Sequence, residues 1–235
     1  MLDRRTEWFV PSFGSERFRV AVGLLFLPYT GMVLSFTVIG SMLAPAIHWD
    51  RVGAIVVIYF LALGIGAHAL DAVGTRGARP WGQVFTRTQL WAFAIVSVLA
   101  AYSIGIWYMV RDTPLLWLIA IPEGFFLLAY NLEWFGGRFH RDSWFALSWG
   151  ALPVLAGYIL QTNTISASAL LVALAMALLS LVEIRASRPY KELKRAMANG
   201  TANAIHAERL EGILKGLSAG VVALGVGLLA FRLWG

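Results

Sequence analysis

The sequence predicts an all-α integral membrane protein, a single bundle of about seven transmembrane helices. Two kinds of observation support this fold class. Of the 235 residues, 59% are hydrophobic and 14% are charged, and the mean hydropathy is +0.70, values that a water-soluble domain does not reach. The apolar residues are also gathered into tracts that approach or exceed about 18–20 residues, the length that crosses a bilayer. We therefore expect each tract to form one membrane helix.

The apolar tracts follow one another at about 20–44, 52–70, 88–110, 114–132, 143–161, 164–182 and 213–234. The polar run Gln161-Thr162-Asn163-Thr164 supplies the turn between the fifth and the sixth. The first tract exceeds the 7–15 residue apolar core of a signal peptide and lacks a small-residue cleavage site, so we expect it to remain as a helix. The predicted organisation is a cytoplasmic segment at 1–18 and one membrane domain at 19–235.

A long basic segment at about 183–212 joins the last two tracts. It is too long for a bare connection. The runs Tyr190–Met197 and Ala202–Leu214 have helical patterns, and Gly200 interrupts them. Two interpretations stay open: a helical lid lying at the membrane surface, or a solvated basic linker.

The basic residues are distributed unequally between the two sides that seven helices define. One side holds 16 of the 19 Lys and Arg residues, and the other holds only Arg51, Arg111 and Arg232. The positive-inside rule then places the N-terminus in the cytoplasm of a protein of the plasma (cell inner) membrane. Topology and anionic lipids explain the net charge of +6, so nucleic acid is not expected as a partner. The chain has no cysteine, which excludes disulfides and thiolate sites.

An Arg-x-x-Arg-Pro-aromatic motif occurs twice, at 76–81 and at 185–190. Each copy follows an apolar tract and has an acidic residue just upstream, Asp71 in one case and Glu183 in the other. Because both copies fall at the cytoplasmic ends of helices, they predict a two-sided binding site for an anionic, phosphorylated ligand. The residues that we expect to bind this ligand are Arg76, Arg79, Arg185, Arg188, Tyr190 and Lys191.

Polar side chains also lie within the predicted helices, where a charge costs at least about 2.5–3.5 kcal/mol at mid-depth. They are His68, Asp71, Glu123, Tyr130 and Asn131, and we expect them to line one cavity open to the cytoplasm. Purely structural interpretations remain for three of them. Asp71 can end its helix beside Arg76, His68 can be a satisfied buried histidine, and Glu123 can form a hydrogen bond across helices.

The stretch Ala67-His68-Ala69-Leu70-Asp71, followed by Thr75 and by Arg79-Pro80, resembles the first acidic motif of the UbiA-type membrane prenyltransferase superfamily. His68 and Asp71 match the first two acids of that motif, and Thr75 stands in place of the third. The pairs Leu152-Pro153 and Gly157-Tyr158 are also similar to the family's fifth helix. The second acidic motif is reduced to Glu183 and Glu192.

The resemblance implies a UbiA-like helix arrangement and transfer of an isoprenoid chain from an allylic diphosphate to a lipophilic acceptor. It also implies Mg²⁺, with Asp71 and Glu183 as metal ligands, although the acidic motifs are degenerate. Asp71, Glu123 and Asn131 would be catalytic, and His68, Tyr130 and the basic residues would bind substrate. Expected partners are an isoprenyl diphosphate or other lipid, membrane lipids, and a membrane protein or a second copy of the chain.

Three other functions are compatible with the sequence. A non-catalytic UbiA-like subunit that binds a lipid or a pigment would explain the sparse carboxylates. Haem ligation by His68 and His140 is a further hypothesis. A transporter is the third, although the chain lacks the discontinuous-helix signature of that class.

Overall fold

The computed structural model describes residues 7–74, 84–198 and 204–235, which form helices and no strands. Seven of these helices are long and apolar enough to cross a membrane, which confirms the predicted number. We name them α1 to α7 in chain order: Glu16–Met42, Trp49–Gly74, Arg87–Arg111, Pro114–Asn131, Asp142–Thr162, Ala167–Met197 and Ala204–Trp234. The protein is therefore a multi-pass helical membrane protein.

Helix α1 lies at the centre of the packing. It contacts α5 on one side and α7 on another, while α6 packs against both α5 and α7. The α1–α5 contact is backbone to backbone: a side chain at Gly157 would collide with the carbonyl of Thr37, and one at Gly40 with the carbonyl of Val154. Small residues at such a crossing let two membrane helices approach closely, and packing then holds them together.

Helices α2 and α3 pair on the other side of the molecule. Helix α4 contacts α2 and α5, but it is joined to α3 at Asp112 and Thr113 and packs on α3 mainly near that junction. The main core includes Tyr59, Leu63, Phe126 and Trp149, and it fills the space among α2, α4 and α5.

Three helices are locally irregular. In α1 the backbone of Phe26 is left-handed (φ 44°) just before Pro28, so the helix is broken between Leu24 and Leu27. Helix α2 has a π-helical segment at Phe60–Ala67, and α5 has one at Leu147–Ala151. π-Helical turns are common at functional sites. Both π-helical segments and the break at Phe26 lie beside the cavity described below.

The sixth and seventh helices are longer than the sequence predicts. Helix α6 continues past 182 and through Pro189 to the last described residue of that stretch, Ala198, and α7 already begins at Ala204. Most of the segment 183–212 thus extends the two membrane helices. Residues 199–203, including Gly200, lie outside the described residues.

Two arginines close the end of the bundle that carries few basic residues. Arg232, near the end of α7, donates to the carbonyls of Met42 and Ala44 at 2.8–3.1 Å. Arg51, at the start of α2, donates to the carbonyls of Leu160 and Gln161 at 3.0 and 3.3 Å. The end of α1, the start of α2, the end of α5 and the end of α7 therefore meet at one end of the bundle, as alternating helices require.

Candidate functional site

A cavity of about 330 Å³ opens at the basic end of the bundle. Its walls come from five helices (α1, α2, α4, α5 and α6) and from the segment joining α4 to α5. The lining residues are Phe26, Tyr29, His68, Asp71, Tyr130, Asn131, Glu133, His140, Phe145, Trp149, Glu183, Ile184, Ser187, Arg188, Lys191, Glu192 and Arg195. We call this space the polar cavity.

Helix α6 supplies one whole wall of the polar cavity. Residues 183 to 195 form it, and Arg188, Lys191 and Arg195 share one face of the helix because they are three and four residues apart. A helix that ended near 182 could not bring Arg195 to this wall. The uninterrupted α6 is therefore what brings the last two cations of the cavity into position.

Arg188 is held by the segment between α4 and α5 and by the first residue of α5. Its Nη2 donates to the carbonyl of His140 at 3.2 Å, and its Nε lies 3.0 Å from Oδ1 of Asp142 in an ion pair. The His140 ring stacks on Tyr130 at 4.3 Å between ring centroids, and its Nδ1 lies 3.1 Å from the carbonyl oxygen of Tyr130. The guanidinium is thus fixed in position at the mouth of the cavity.

His68 lines the cavity from α2, among aromatic rings. It stacks on Phe26 with centroids 4.7 Å apart, and Trp149 lies 5.4 Å away on another side. Its Nε2 is 3.4 Å from the hydroxyl of Thr30. The left-handed Phe26 and the two π-helical segments set this arrangement, because they immediately precede or contain the residues that form it.

Asn131 ends α4 with its side chain already in use. Its Nδ2 donates to the carbonyl of Leu127 at 2.8 Å, and the residue is 6% exposed. A side chain at the neighbouring Gly74 would collide with the Asn131 carbonyl. Asn131 therefore lines the cavity and also fixes the contact between α2 and α4.

The charges of the cavity are nearly balanced among the described residues. Asp71, Glu133, Glu183 and Glu192 provide carboxylates, and Arg188, Lys191 and Arg195 provide cations. Of the two arginines in the second Arg-x-x-Arg-Pro motif, only Arg188 lines the cavity. The Arg185 side chain is 68% exposed, and it lies outside the cavity, 3.9 Å from Asp142. Arg76 and Arg79 lie outside the described residues, so the two-sided arrangement of the motifs stays a prediction.

The expected magnesium site stays a prediction. Asp71 and Glu183 both line the polar cavity, as the resemblance requires. Within residues 7–74, 84–198 and 204–235, however, no group of three or more His, Asp or Glu residues is placed to hold one ion. Mg²⁺ is usually held by one or two carboxylates together with waters and substrate phosphates, so Asp71 and Glu183 remain the candidate ligands.

Three predicted site residues lie away from the polar cavity, Arg185 and the two that follow. Glu123 is in the middle of α4, where Tyr59 donates to its Oε1 at 2.9 Å, and it lines a separate small cavity. Tyr190 is 2% exposed, and its hydroxyl lies 2.9 Å from Oε2 of Glu7 and 3.0 Å from Oε2 of Glu211. The structure thus joins His68, Asp71, Tyr130, Asn131, Arg188, Lys191 and Glu183 in one cavity and places Glu123, Tyr190 and Arg185 elsewhere.

Several lining residues have no role in the sequence prediction. Tyr29, Phe145, Ser187 and Arg195 are examples. The spacing of Ser187, Arg188, Lys191 and Arg195 could have indicated a common wall, had α6 been extended through Pro189. The aromatic residues gave no usable signal, since 13% of the chain is Phe, Trp or Tyr.

Comparisons with protein-family models, with curated proteins and with solved structures found no match. The functional interpretation therefore rests on the residues of the polar cavity themselves.

Proposed function

We propose that the chain is a UbiA-like membrane prenyltransferase that binds an isoprenyl diphosphate in the polar cavity and transfers its chain to a lipophilic acceptor. The basic end of the bundle faces the cytoplasm in this proposal, and the membrane is the plasma membrane. One observation carries the proposal: three cations of α6 and four aromatic rings line the same cavity, where the Lys191 ammonium lies 5.9 Å from the centroid of the Phe26 ring.

The cations are suited to a diphosphate. Arg188, Lys191 and Arg195 project from one face of α6, so they can contact neighbouring phosphate oxygens of one ligand. Bonds between ionised partners are about twice as strong as neutral ones, and a fixed guanidinium binds phosphate in a defined geometry. Arg188 is fixed in this way by Asp142 and by the carbonyl of His140.

The aromatic rings that line the cavity are suited to the isoprenoid end of the same ligand. Phe26, Tyr29, Phe145 and Trp149 line the cavity, and Phe145 stacks on Trp149 at 5.3 Å. Ring faces attract cations. They can therefore stabilise the allylic cation that develops as the diphosphate departs.

In the proposed reaction the bond between the allylic carbon and the bridging oxygen breaks, and its electron pair leaves with the diphosphate. The acceptor then forms a bond to that carbon and gives up a proton. Asp71 is the proposed proton acceptor, since its carboxylate lines the same cavity. Arg188, Lys191 and Arg195 stabilise the negative charge that collects on the leaving group.

Binding of radiolabelled geranylgeranyl diphosphate to the purified protein in lipid nanodiscs tests the proposal. Arg188→Ala should weaken binding by at least about tenfold, the effect of one lost charge-assisted bond. Arg185→Ala is the matched control, three residues away on the same helix but outside the cavity lining, and it should bind normally. Equal binding by both variants, or none by the wild type, would refute the proposal.

A non-catalytic lipid- or pigment-binding subunit is the second candidate. The degenerate acidic motifs favour it. This candidate predicts diphosphate or lipid binding without product, no effect of Mg²⁺ on thermal stability, and a partner that co-purifies in a fixed ratio. Release of diphosphate together with a prenylated product would exclude it.

A further inference from the structure

A second cavity lies deeper in the membrane domain, around Glu123. It has a volume of about 60 Å³ and lies between α2, α3 and α4, with Ala156 of α5 at its base. None of its lining residues belongs to the polar cavity. The reaction proposed above makes no use of this space or of the carboxyl group in it.

The Glu123 carboxyl is held by one of its two oxygens. The Tyr59 hydroxyl donates to Oε1 at 2.9 Å, which fixes the orientation of the group. The other oxygen, Oε2, is buried and has no hydrogen-bond partner among the described residues. A buried polar atom is costly to leave without a partner, so this oxygen indicates a missing one.

The other polar group in the wall is satisfied. The Tyr102 hydroxyl donates to the carbonyl of Ala120 at 2.7 Å. It can approach this closely because residue 124 is glycine, where a side chain would collide with that hydroxyl. The remaining wall is apolar, and small residues such as Ala62, Ala101 and Gly105 leave the space open. The cavity is therefore an apolar chamber with one unsatisfied oxygen.

The cavity can be reached from the bilayer. Helices α3 and α4 pack on each other near their junction at Asp112 and Thr113 and separate beyond it. Tyr102, Ala120 and Gly124 lie here and are partly exposed, and the Tyr102 side chain bridges the two helices by its bond to the Ala120 carbonyl, which leaves the entry beside its ring. A molecule dissolved in the lipid can thus enter between the two helices without crossing the polar cavity.

We propose that the Glu123 cavity binds the hydroxyl end of a lipophilic alcohol or phenol, taken up from the bilayer between α3 and α4. A hydroxyl group both donates and accepts, so it can satisfy Oε2 whether or not the carboxyl carries a proton. The volume of about 60 Å³ has room for about four or five water-sized groups, by the volume that one buried water needs. This space holds the hydroxyl group of the ligand and its first carbons. The rest of the ligand lies between α3 and α4.

A photoreactive diazirine analogue of 1-octanol, used with the protein in lipid nanodiscs, tests this site. Mass spectrometry locates the labelled residues, and unlabelled 1-octanol competes for the site. We expect saturable labelling of α3 and α4 around Gly105 and Ala120. The same diazirine on octane, which lacks the hydroxyl, should bind roughly tenfold more weakly, the effect of one lost neutral hydrogen bond.

Two variants separate recognition of the hydroxyl from mere filling of the space. Glu123→Leu removes the polar group and should reduce the preference for the alcohol over the alkane to about one. Gly105→Leu keeps Glu123 but fills the chamber, since a side chain there has only Met109 and Ile58 nearby, and it should abolish saturable labelling of this site. The control is Gly220→Leu on α7, where nothing lies within 4 Å, and it should change neither result.

Labelling that does not saturate, or that is the same in all three variants, would overturn the proposal. An unchanged alcohol preference in Glu123→Leu would also overturn it, because the carboxyl would then play no part. If Glu123→Leu fails to fold, Tyr59→Phe replaces it. That variant frees Oε1 as well, so the alcohol preference should be retained or should rise, and its loss would contradict the proposal.

Discussion

At the residue scale, arginines at the sparsely charged end of the bundle act as caps for helix ends. Arg232 donates three hydrogen bonds to the carbonyls of Met42 and Ala44, at the end of α1. Arg51 does the same for Leu160 and Gln161 at the end of α5. The last carbonyls of a helix have no partner within it and carry partial negative charge. Arg51 and Arg232 therefore supply the partners that these helix-end carbonyls would otherwise lack.

This role predicts unequal effects of two similar substitutions. Arg232→Met should lower the free energy of unfolding by about 2 kcal/mol, because carbonyls bonded to a charged group lose their partner. Arg111→Met should change it by less than about 1 kcal/mol, since the Arg111 side chain is 62% exposed and makes only surface contacts, an ion pair with Asp112 at 3.5 Å and a stack over Trp107 at 5.1 Å from the ring centroid. Unfolding of both variants in mixed micelles by SDS measures the difference. Equal losses would contradict the capping role.

The hydroxyl of Tyr59 is the second residue whose effect can be isolated. Tyr59→Phe removes the donor to Oε1 of Glu123 and leaves both carboxyl oxygens without a partner among the described residues. We expect a loss of about 1 kcal/mol, within the range for hydrogen bonds between membrane helices. Ser103→Ala is the control because the Ser103 hydroxyl bonds only to Leu99 of its own helix and is exposed. Thermal unfolding of the two variants should show no change for the control.

At the scale of elements, the crossing of α1 and α5 depends on glycine more than any other contact in the described bundle. Gly40 and Gly157 each face a backbone carbonyl of the other helix, and the Ser41 hydroxyl lies 3.3 Å from the Gly157 carbonyl. In α7 only Gly225 is in such a contact, with Ser35 of α1, whereas Gly216, Gly220 and Gly227 have open space where a side chain would be. Glycine is therefore required at the α1–α5 crossing but not at those three positions of α7.

Gly157→Ala should accordingly destabilise the protein by about 1–3 kcal/mol, since the added methyl group forces α1 and α5 apart. Gly220→Ala should be neutral, or stabilising by up to about 1 kcal/mol, because alanine favours the helix and meets no neighbour. The midpoint of thermal unfolding in detergent compares the two. A neutral Gly157→Ala would show that the close crossing is not maintained in solution.

The number and approximate positions of the membrane helices could be predicted from the sequence because they depend on hydropathy and length alone. The local irregularities within the helices could not be predicted from the sequence. The left-handed Phe26 and the π-helical turns at 60–67 and 147–151 are in apolar runs whose sequence resembles ordinary helix. Pro189 also gave a misleading signal, since it predicts the end of a helix and instead lies inside α6.

The candidate site could be predicted from the sequence only in part. His68, Asp71, Tyr130 and Asn131 could be grouped because each is a polar residue near the same end of its helix. Glu123 could not be excluded from that group by sequence, because its separation depends on which neighbouring helices enclose it. Tyr59 and Tyr102 enclose it in a chamber of its own, and neither contact leaves a pattern in the sequence.

At the scale of the whole molecule, the two ends of the bundle differ in chemistry. The polar cavity opens among the basic ends of α2, α4 and α6, whereas the opposite end is closed by the arginine–carbonyl contacts. Of the 19 Lys and Arg residues, 16 belong to the cavity end by sequence. This asymmetry is the basis for proposing that the cavity faces the cytoplasm.

The absence of native cysteine makes the orientation directly testable. Phe13→Cys places a thiol at the basic end, where the native side chain is 70% exposed, and Ile165→Cys places one in the turn between α5 and α6, where it is 48% exposed. A membrane-impermeant maleimide added to intact cells should label Ile165→Cys at once, and Phe13→Cys only after permeabilisation. The wild type is the blank, since it has no thiol to react.

The reverse pattern would place the polar cavity outside the cell, where a prenyl diphosphate made in the cytoplasm could not reach it without crossing the membrane. The proposed prenyl transfer would then lose its substrate, whereas lipid uptake between α3 and α4 would be unaffected, because that route starts within the bilayer. Labelling of both thiols in intact cells would instead indicate a mixed orientation. The charge asymmetry argues against a mixed orientation, because 16 basic residues favour one side and only three the other.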